Sequence, residues 1–436
     1  MMIDQRYEAE EKKQELINEI SEEFKEGKIE TREMNAYAKE INEIRLRKAS
    51  EDTQIVQIVN NFIAQAIVEG ASDIHLDPKK ETLDVRFRID GYLYNRHRLS
   101  SSLAGPIRSR IKIMSGLDIT DKKFPQEGRI APQIKGKNIE IRTSTYPAIY
   151  GENIVLKVLD KSSKVPNLLD IGLSEENLNA LVKTTKAARG LVLAAGPAGN
   201  GKTTTIYSMI QSMNHADKNI VTIEDTIERE IEGIVQSQID HASGMTYADA
   251  LKSILHQDPD MIYVGEIRDR DTASICVRAA LAGHMIFSTM PANTAVGAIT
   301  SLREIGINGG FIESVLNCVF SQRLVRKLCP SCRRTYIPEK SILGELNLPS
   351  NTTFYKEVGC EACSGIGYRG RTALFEILPC TRLIKTLMAD NAPDTEMLQA
   401  ARSDGMKSLF EDGLQKVRAG VTTLEEVIKA TEELAP

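Results

Sequence analysis

The stretch Gly196-Pro197-Ala198-Gly199-Asn200-Gly201-Lys202-Thr203 satisfies G-x-x-x-x-G-K-[ST] in full. That combination of residues holds phosphate. Glycines let backbone N–H groups turn inward around anionic oxygens, the lysine reaches the β- and γ-phosphates, and the hydroxyl ligates Mg²⁺. The expected ATP contacts are therefore Gly196 to Thr203 together with Thr204, with Thr203 a Mg²⁺ ligand. Two acidic stretches follow, Glu224-Asp225-Thr226-Ile227-Glu228 and Gly265-Glu266-Ile267-Arg268-Asp269. Hydrolysis needs an oriented water and neutralised charge on the moving phosphoryl group, so one carboxylate beside Mg²⁺ and one beside the water suffice. Glu266 and Glu224 are the candidates. His284, with Ser288, Thr289 and Asn293, could sense the γ-phosphate by hydrogen bonds, although a histidine met alone is more often structural.

Of the seven cysteines, Cys329, Cys332, Cys360 and Cys363 form two C-x-x-C pairs separated by 27 residues. That gap exceeds the roughly 15–20 residues of the common spacing. Each pair nonetheless makes one knuckle, and four thiolates close a tetrahedral Zn²⁺ site with no open position for water, hence a structural one. Gly359, Gly365 and Gly367 supply tight turns around the second pair. A redox use would call for a single C-x-x-C in a thioredoxin-like βαβ setting, which the pattern does not offer.

These residues need strands and helices behind them. Leu191 to Ala195 is an apolar run suited to a buried strand, and Thr203 to Met213 reads as the helix after the loop. Further strands are expected at Ile220 to Ile223, Met261 to Val264 and Met285 to Ser288, alternating with helical patterns. The expected fold class is α/β, with ligands beyond the carboxyl ends of parallel strands. Upstream, an apolar helix face from Ile55 to Ile67, alternating strands around Asp73 to Pro78 and Leu83 to Gly91, a helix from Pro106 to Met114 and strands carrying Arg129 and Arg142 form a separate α+β unit. Expected boundaries are a helical, amphipathic segment over 1–50, the α+β domain over 51–160, a linker over 161–170 and the nucleotide domain over 171–436, including the zinc-binding insertion 329–363. The tail after Thr372 reads as mainly helical.

With 436 residues the chain exceeds one typical core. Charged residues make up 26%, aromatic residues 5%, and the net charge is -5, so no global field favours nucleic acid or an anionic membrane. Met1-Met2-Ile3-Asp4 leads into glutamates and lysines rather than an apolar core, and the expectation is a cytoplasmic location. Arg86, Arg88, Arg108, Arg110, Arg129 and Arg142 crowd the α+β unit; phosphate sites in oligomeric ATPases are commonly completed by an arginine from the same or a neighbouring chain.

Taken together, the motifs resemble those of type II secretion ATPases and type IV pilus assembly ATPases. The likeness runs from about Thr53 to the C-terminal helices. It rests on Ala71-Ser72-Asp73-Ile74-His75, Arg88-Ile89-Asp90-Gly91, Ser115-Gly116-Leu117-Asp118-Ile119, Pro125-Gln126-Glu127-Gly128-Arg129 and Gly151-Glu152, then on the phosphate loop, Glu224-Asp225, Asp258-Pro259-Asp260, Gly265-Glu266-Ile267-Arg268-Asp269 and Cys360-Glu361-Ala362-Cys363. The resemblance implies a hexameric RecA-like P-loop motor preceded by a PAS-like domain. It implies a homo-oligomer that uses ATP and Mg²⁺ to add pilin-like subunits through an inner-membrane platform protein, with a membrane-associated docking protein as a further partner and no direct nucleic acid. By position, Glu266 matches the Walker B acid near Mg²⁺ and water, Glu224 the second acid, His284 the His-box residue, and Arg129 and Arg142 the phosphate-contacting arginines. The cysteine-bearing insertion resembles the assembly and secretion branches. Two departures stand out: Ser288-Thr289-Met290-Pro291-Ala292-Asn293 has Pro291 where the family usually carries a second histidine, and 1–50 is short for the family's docking domain. The alternatives are a nucleic-acid motor on the same core and an adaptor that binds ATP but barely hydrolyses it.

Overall fold

The computed structural model describes residues 53–431 apart from 132, 135–136 and 241–242. The helical segment expected over 1–50 lies outside the described residues. The chain divides between Ser163 and Lys164 into two units.

In the first unit, α1 (Thr53–Val68) precedes strands β1 (Asp73–Pro78), β2 (Thr82–Ile89) and β3 (Tyr92–Ser100), then α2 (Ala104–Met114) and strands β4 (Gln126–Ile130), β5 (Gln133–Ile134), β6 (Lys137–Tyr146) and β7 (Asn153–Asp160). The antiparallel sheet has the order β3-β2-β1-β7-β6-β4, with β5 paired to β6 alone. Strand period dictates its two faces. Along β2, Leu83, Val85, Phe87 and Ile89 are buried while Asp84, Arg86 and Arg88 alternate with them. Helix period does the same for α1, whose Ile55, Val59, Phe62 and Ile63 join Ile107 and Ile111 of α2 in the core. Arg129 of β4 sits directly across from Arg142 of β6, which puts both side chains on one face. Arg142 pairs with Glu140 at 2.7 Å, and Lys161 holds the other oxygen of Glu140 at 2.8 Å.

Inside this unit Lys112 and Glu152 form an ion pair that is almost wholly inaccessible, at 2% and 4% side-chain exposure. The Lys112 ammonium also donates to the Asp121 carbonyl at 2.7 Å, so one buried cation ties α2 to the loops on both sides of β4 and β6. Removing one partner strands the other charge away from water. Glu152→Ala is therefore expected to destabilise this unit by about 3–5 kcal/mol, read from urea denaturation of the full chain; a loss well under 1 kcal/mol would contradict it.

The second unit opens with α3 (Glu175–Thr185), β8 (Gly190–Ala195), α4 (Lys202–Met213), β9 (Ile220–Glu224), β10 (Val235–Gln238), α5 (Tyr247–Ile254), β11 (Met261–Val264), α6 (Arg270–Ala282) and β12 (Met285–Met290). It continues through α7 (Ala295–Glu304), α8 (Gly309–Val315), β13 (Leu316–Leu328), β14 (Arg334–Tyr336), α9 (Lys340–Glu345), β15 (Phe354–Lys356) and β16 (Tyr368–Pro379). Helices α10 (Arg382–Ala389), α11 (Asp394–Ser403), α12 (Leu409–Arg418) and α13 (Leu424–Thr431) close it. The tail after Thr372 is thus helical only from Arg382 onward, because β16 continues to Pro379.

The main sheet has the order β10-β9-β11-β12-β8-β13-β16, parallel except for β16 against β13. Helices cover both faces, so β8, β9, β11 and β12 are buried along their whole length and read as continuous apolar runs. Along β8, Leu191, Leu193 and Ala195 join one core cluster and Val192 and Ala194 the other. This is an α/β core with a helical C-terminal part. No helix among the described residues is long and apolar enough to cross a membrane.

Candidate functional site

The phosphate loop leaves β8 at its carboxyl end. Gly196, Gly199 and Gly201 have φ of 143°, 76° and 76°, values that L side chains avoid. Two of them are also crowded by their surroundings. A Cβ on Gly196 would lie 2.8 Å from the carbonyl oxygen of Gln322, and one on Gly201 2.9 Å from its Nε2. Gly201 is also the N-cap of α4 and caps it with no side chain, so the first N–H groups of the helix are left for an anion. Pro197, Ala198 and Gly199 form the exposed crown, with Asn200 half-buried behind them.

Lys202 is buried, and its ammonium donates to the carbonyls of Gly196 at 2.5 Å and Pro197 at 2.9 Å. Burial lowers its pKa, opposed by the carboxylate of Glu266 and reinforced by Arg323. Thr203 hydrogen-bonds Tyr263 of β11, and the Thr204 carbonyl accepts from Ser208 at 2.8 Å.

Glu266 follows β11 and is fixed by backbone stitching on both sides. The Gly265 amide donates to the Ile223 carbonyl at 2.8 Å, the Ile267 amide to the Thr289 carbonyl at 2.9 Å, and the Thr289 hydroxyl to the Gly265 carbonyl at 2.7 Å. The carboxylate is partly exposed, paired with Arg268 and within electrostatic reach of Lys202. An anion so placed beside the loop can hold a metal–nucleotide complex.

Glu224 lies differently. It is 2% exposed and accepts hydrogen bonds from the hydroxyl of Tyr207, from Thr222 at 2.7 Å and from Gln236 at 3.4 Å. Both oxygens are thus engaged from inside, where they anchor α4 to the sheet, while the neighbouring Asp225 is the exposed acid.

His284 is the expectation the structure corrects. Strand β12 runs parallel to β8 with Met285 opposite Gly190 and Met290 opposite Ala195. His284 precedes Met285, so it stands at the amino end of the sheet, roughly 17–20 Å from the loop at the carboxyl end. Its carbonyl accepts from the Gly190 amide at 3.1 Å and its Nδ1 meets the Pro259 carbonyl at 2.7 Å. That is a structural histidine. At the other end of β12, Pro291 is exposed and the Asn293 carbonyl accepts from Ser321 at 2.9 Å and Arg323 at 3.1 Å. Arg129 and Arg142 belong to the first unit, side by side on β4 and β6.

Sequence reasoning missed Thr205, Gln322 and Arg323, all buried beside the loop. A signal was present. Ser321-Gln322-Arg323 interrupts an otherwise apolar run with polar groups that a strand must bury, and buried polar groups require partners.

The four cysteine sulfurs lie within 4.8 Å of one another. Cys329 to Cys360 and Cys360 to Cys363 are 3.8 Å apart, and Cys332 to Cys363 is 3.9 Å. A tetrahedron with metal–sulfur bonds of ~2.3 Å has edges of about 3.8 Å, so the cluster fits a metal ion. The amides of Cys360 and Gly367 donate to the Cys363 sulfur at 3.2 and 3.1 Å, which favours its thiolate. Within the insertion, Phe354 of β15 packs with Val325, Leu374, Leu409 and Val417, which seats it on the C-terminal helices.

Burial holds the Glu224 carboxyl above the usual glutamate range. A raised folded pKa favours the protonated fold, so this contribution is full below the ordinary glutamate pKa and is lost as pH rises through the raised one. Glu224→Gln is expected to flatten that fall in a plot of Tm against pH; an unchanged slope would contradict the account.

A family model described as "Type II/IV secretion system protein" matches residues 48–429. The chain is 41% identical over 390 residues to the type II secretion system ATPase E of Vibrio cholerae, covering 89% of this chain and 77% of that relative. It is 38% identical over 425 residues to the type IV pilus assembly ATPase PilB of Myxococcus xanthus, covering 96% and 73%. Among solved structures, the pilus retraction motor PilT with bound ADP superposes with a TM-score of 0.57 at 25% identity, covering 86% of this chain and 97% of that one. The Legionella pneumophila ATPase DotB superposes with a TM-score of 0.64 at 19% identity, covering 86% and 95%, a likeness of fold alone. With the phosphate loop, the Glu266 turn and the parallel sheet all inside the matched region, the chain belongs to the Type II/IV secretion system protein family and is an ATPase of that family.

Proposed function

We propose that the chain is an ATP-driven motor that assembles a type IV pilus or a pseudopilus, acting in the cytoplasm on an inner-membrane platform protein. The observation that carries this reading is the match along nearly the whole chain to relatives named as a type II secretion ATPase and a pilus assembly ATPase. The working form is a homo-oligomer, a hexamer by analogy with the family, docked on the membrane through partners.

The loop glycines and the free helix N-terminus cradle the phosphates, and Lys202 exchanges its loop carbonyls for phosphate oxygens. Mg²⁺ would be held by Thr203 and Glu266 and would supply charge neutralisation to the transferring phosphoryl group. Glu266 accepts hydrogen bonds from the attacking water. Glu224 acts indirectly, by fixing Tyr207 and so the helix that carries Lys202. Glu266→Gln is expected to lower ATP turnover at least about a hundredfold while Mg²⁺-ATP still binds with near wild-type affinity. Unchanged turnover in a steady-state phosphate-release assay would remove Glu266 from the mechanism.

The cysteine cluster holds a structural Zn²⁺ that closes the insertion. Metal analysis of the purified chain should find one zinc per chain. Cys360→Ser should release it and expose the insertion to protease, with a smaller effect on nucleotide binding. Full protection without zinc would remove the structural assignment.

A further inference from the structure

Both outer glycines of the phosphate loop are pressed against a single residue, Gln322 of β13. Its backbone carbonyl blocks a side chain at Gly196, and its amide nitrogen lies 2.9 Å from where a Cβ on Gly201 would stand, so a side chain there would push the amide aside. The side chain is 2% exposed and uses both ends of its amide. Nε2 donates to the Asn200 carbonyl at 2.7 Å, and Oε1 accepts from the Thr205 hydroxyl at 2.7 Å. These two partners bracket Gly201, Lys202, Thr203 and Thr204, the stretch that carries the phosphate chemistry. One further bond comes from the same strand, the Leu324 amide donating to Asn200 Oδ1 at 3.0 Å.

A loop rich in left-handed glycines has no ladder of its own to hold it in shape. The clasp replaces that ladder. Strand β13 lies next to β8 with Ser321 opposite Ala195, so Gln322 comes level with the first loop residue just where β8 stops pairing. Because Thr205 is in the first turn of α4, the amide also sets where that helix begins relative to the loop. Its donor end must face the carbonyl and its acceptor end the hydroxyl, so the orientation of the amide is dictated by its partners.

We propose that Gln322 is the positioning residue of this ATPase, preorganising the phosphate loop for nucleotide through Asn200 and Thr205. It touches no substrate atom itself. Its effect therefore falls on nucleotide affinity, through the fraction of molecules whose loop is already shaped to bind. The proposal rests on the reading of Gly196 to Thr204 as the ATP site.

The test uses the full chain and Mg²⁺-ADP, which is not turned over. Gln322→Met keeps the volume and removes both hydrogen bonds; Thr205→Val removes one of them. The expected result is a Kd raised about tenfold or more in the first variant and about threefold in the second. KM for ATP should rise in step while kcat changes less, and Tm should stay within a few degrees of the parent. A residue that merely supports the fold would lower Tm and leave the Kd of the folded fraction unchanged. Wild-type Kd in Gln322→Met overturns the proposal, and if that variant does not fold, wild-type Kd in Thr205→Val overturns it. Lys202→Ala serves as the control: if it binds Mg²⁺-ADP like the parent, the reading of the loop itself has failed, whereas loss of binding there with no effect at Gln322 sinks only the inference.

Discussion

The second unit depends on the pairing of β8 with its two parallel neighbours, β12 and β13. Parallel ladders have both faces covered, so every side chain along β8 is buried and the strand can present its chemistry only where it ends. The loop that begins at Gly196 inherits its place from that pairing. Lys202 and Glu266 come within electrostatic reach of each other because α4 and the turn after β11 leave the same edge of the same sheet.

The pairing with β13 carries an energetic liability as well as an advantage. Ser321, Gln322 and Arg323 are buried at 0%, 2% and 7% exposure, and polar groups without partners there would cost on the order of 1–3 kcal/mol each. Ser321 is satisfied by Asn293, Gln322 by Asn200 and Thr205, and Arg323 by Asn293 and the Gln322 carbonyl. The same strand then leaves the ladder with β8, continues against β16 and ends beside Cys329, the first residue of the cysteine cluster. Buried charges secure that outer stretch: Arg326 pairs with Glu426 at 2.7 Å, and Asp412 accepts from the Phe375 amide at 2.9 Å while pairing with Lys416. The phosphate loop thus lies beside the middle of β13, and the cysteine cluster begins at its carboxyl end.

Much of this was legible in advance. The apolar runs at 191–195, 220–223, 261–264 and 285–288 identified buried parallel strands, since only strands covered on both faces are apolar throughout. Alternation along β2 identified a sheet with one wet face for the same reason in reverse. The glycine–lysine–threonine spacing and the cysteine pairs announced their chemistry because loop geometry and metal geometry are local. His284 was misread because a residue at the start of a strand and one at its end are equally close in sequence to the strand, yet stand at opposite edges of the sheet. Glu224 looked like a free acid at a strand end; only its contacts with Tyr207, Thr222 and Gln236 reveal a carboxylate turned inward.

The sequence by itself determined the family, the phosphate cradle, the four thiols and the alternation of buried strands with helices, all of which are written in types and spacings over short stretches. The tertiary structure alone decided which strand lies beside β8, at which end of its strand His284 stands, and which groups beside the loop Gln322, more than a hundred residues away, holds. The reason is physical: local patterns follow from periodicity and backbone geometry, whereas strand order and hydrogen-bond partners follow from how the whole chain buries its apolar surface while leaving no polar group unpaired.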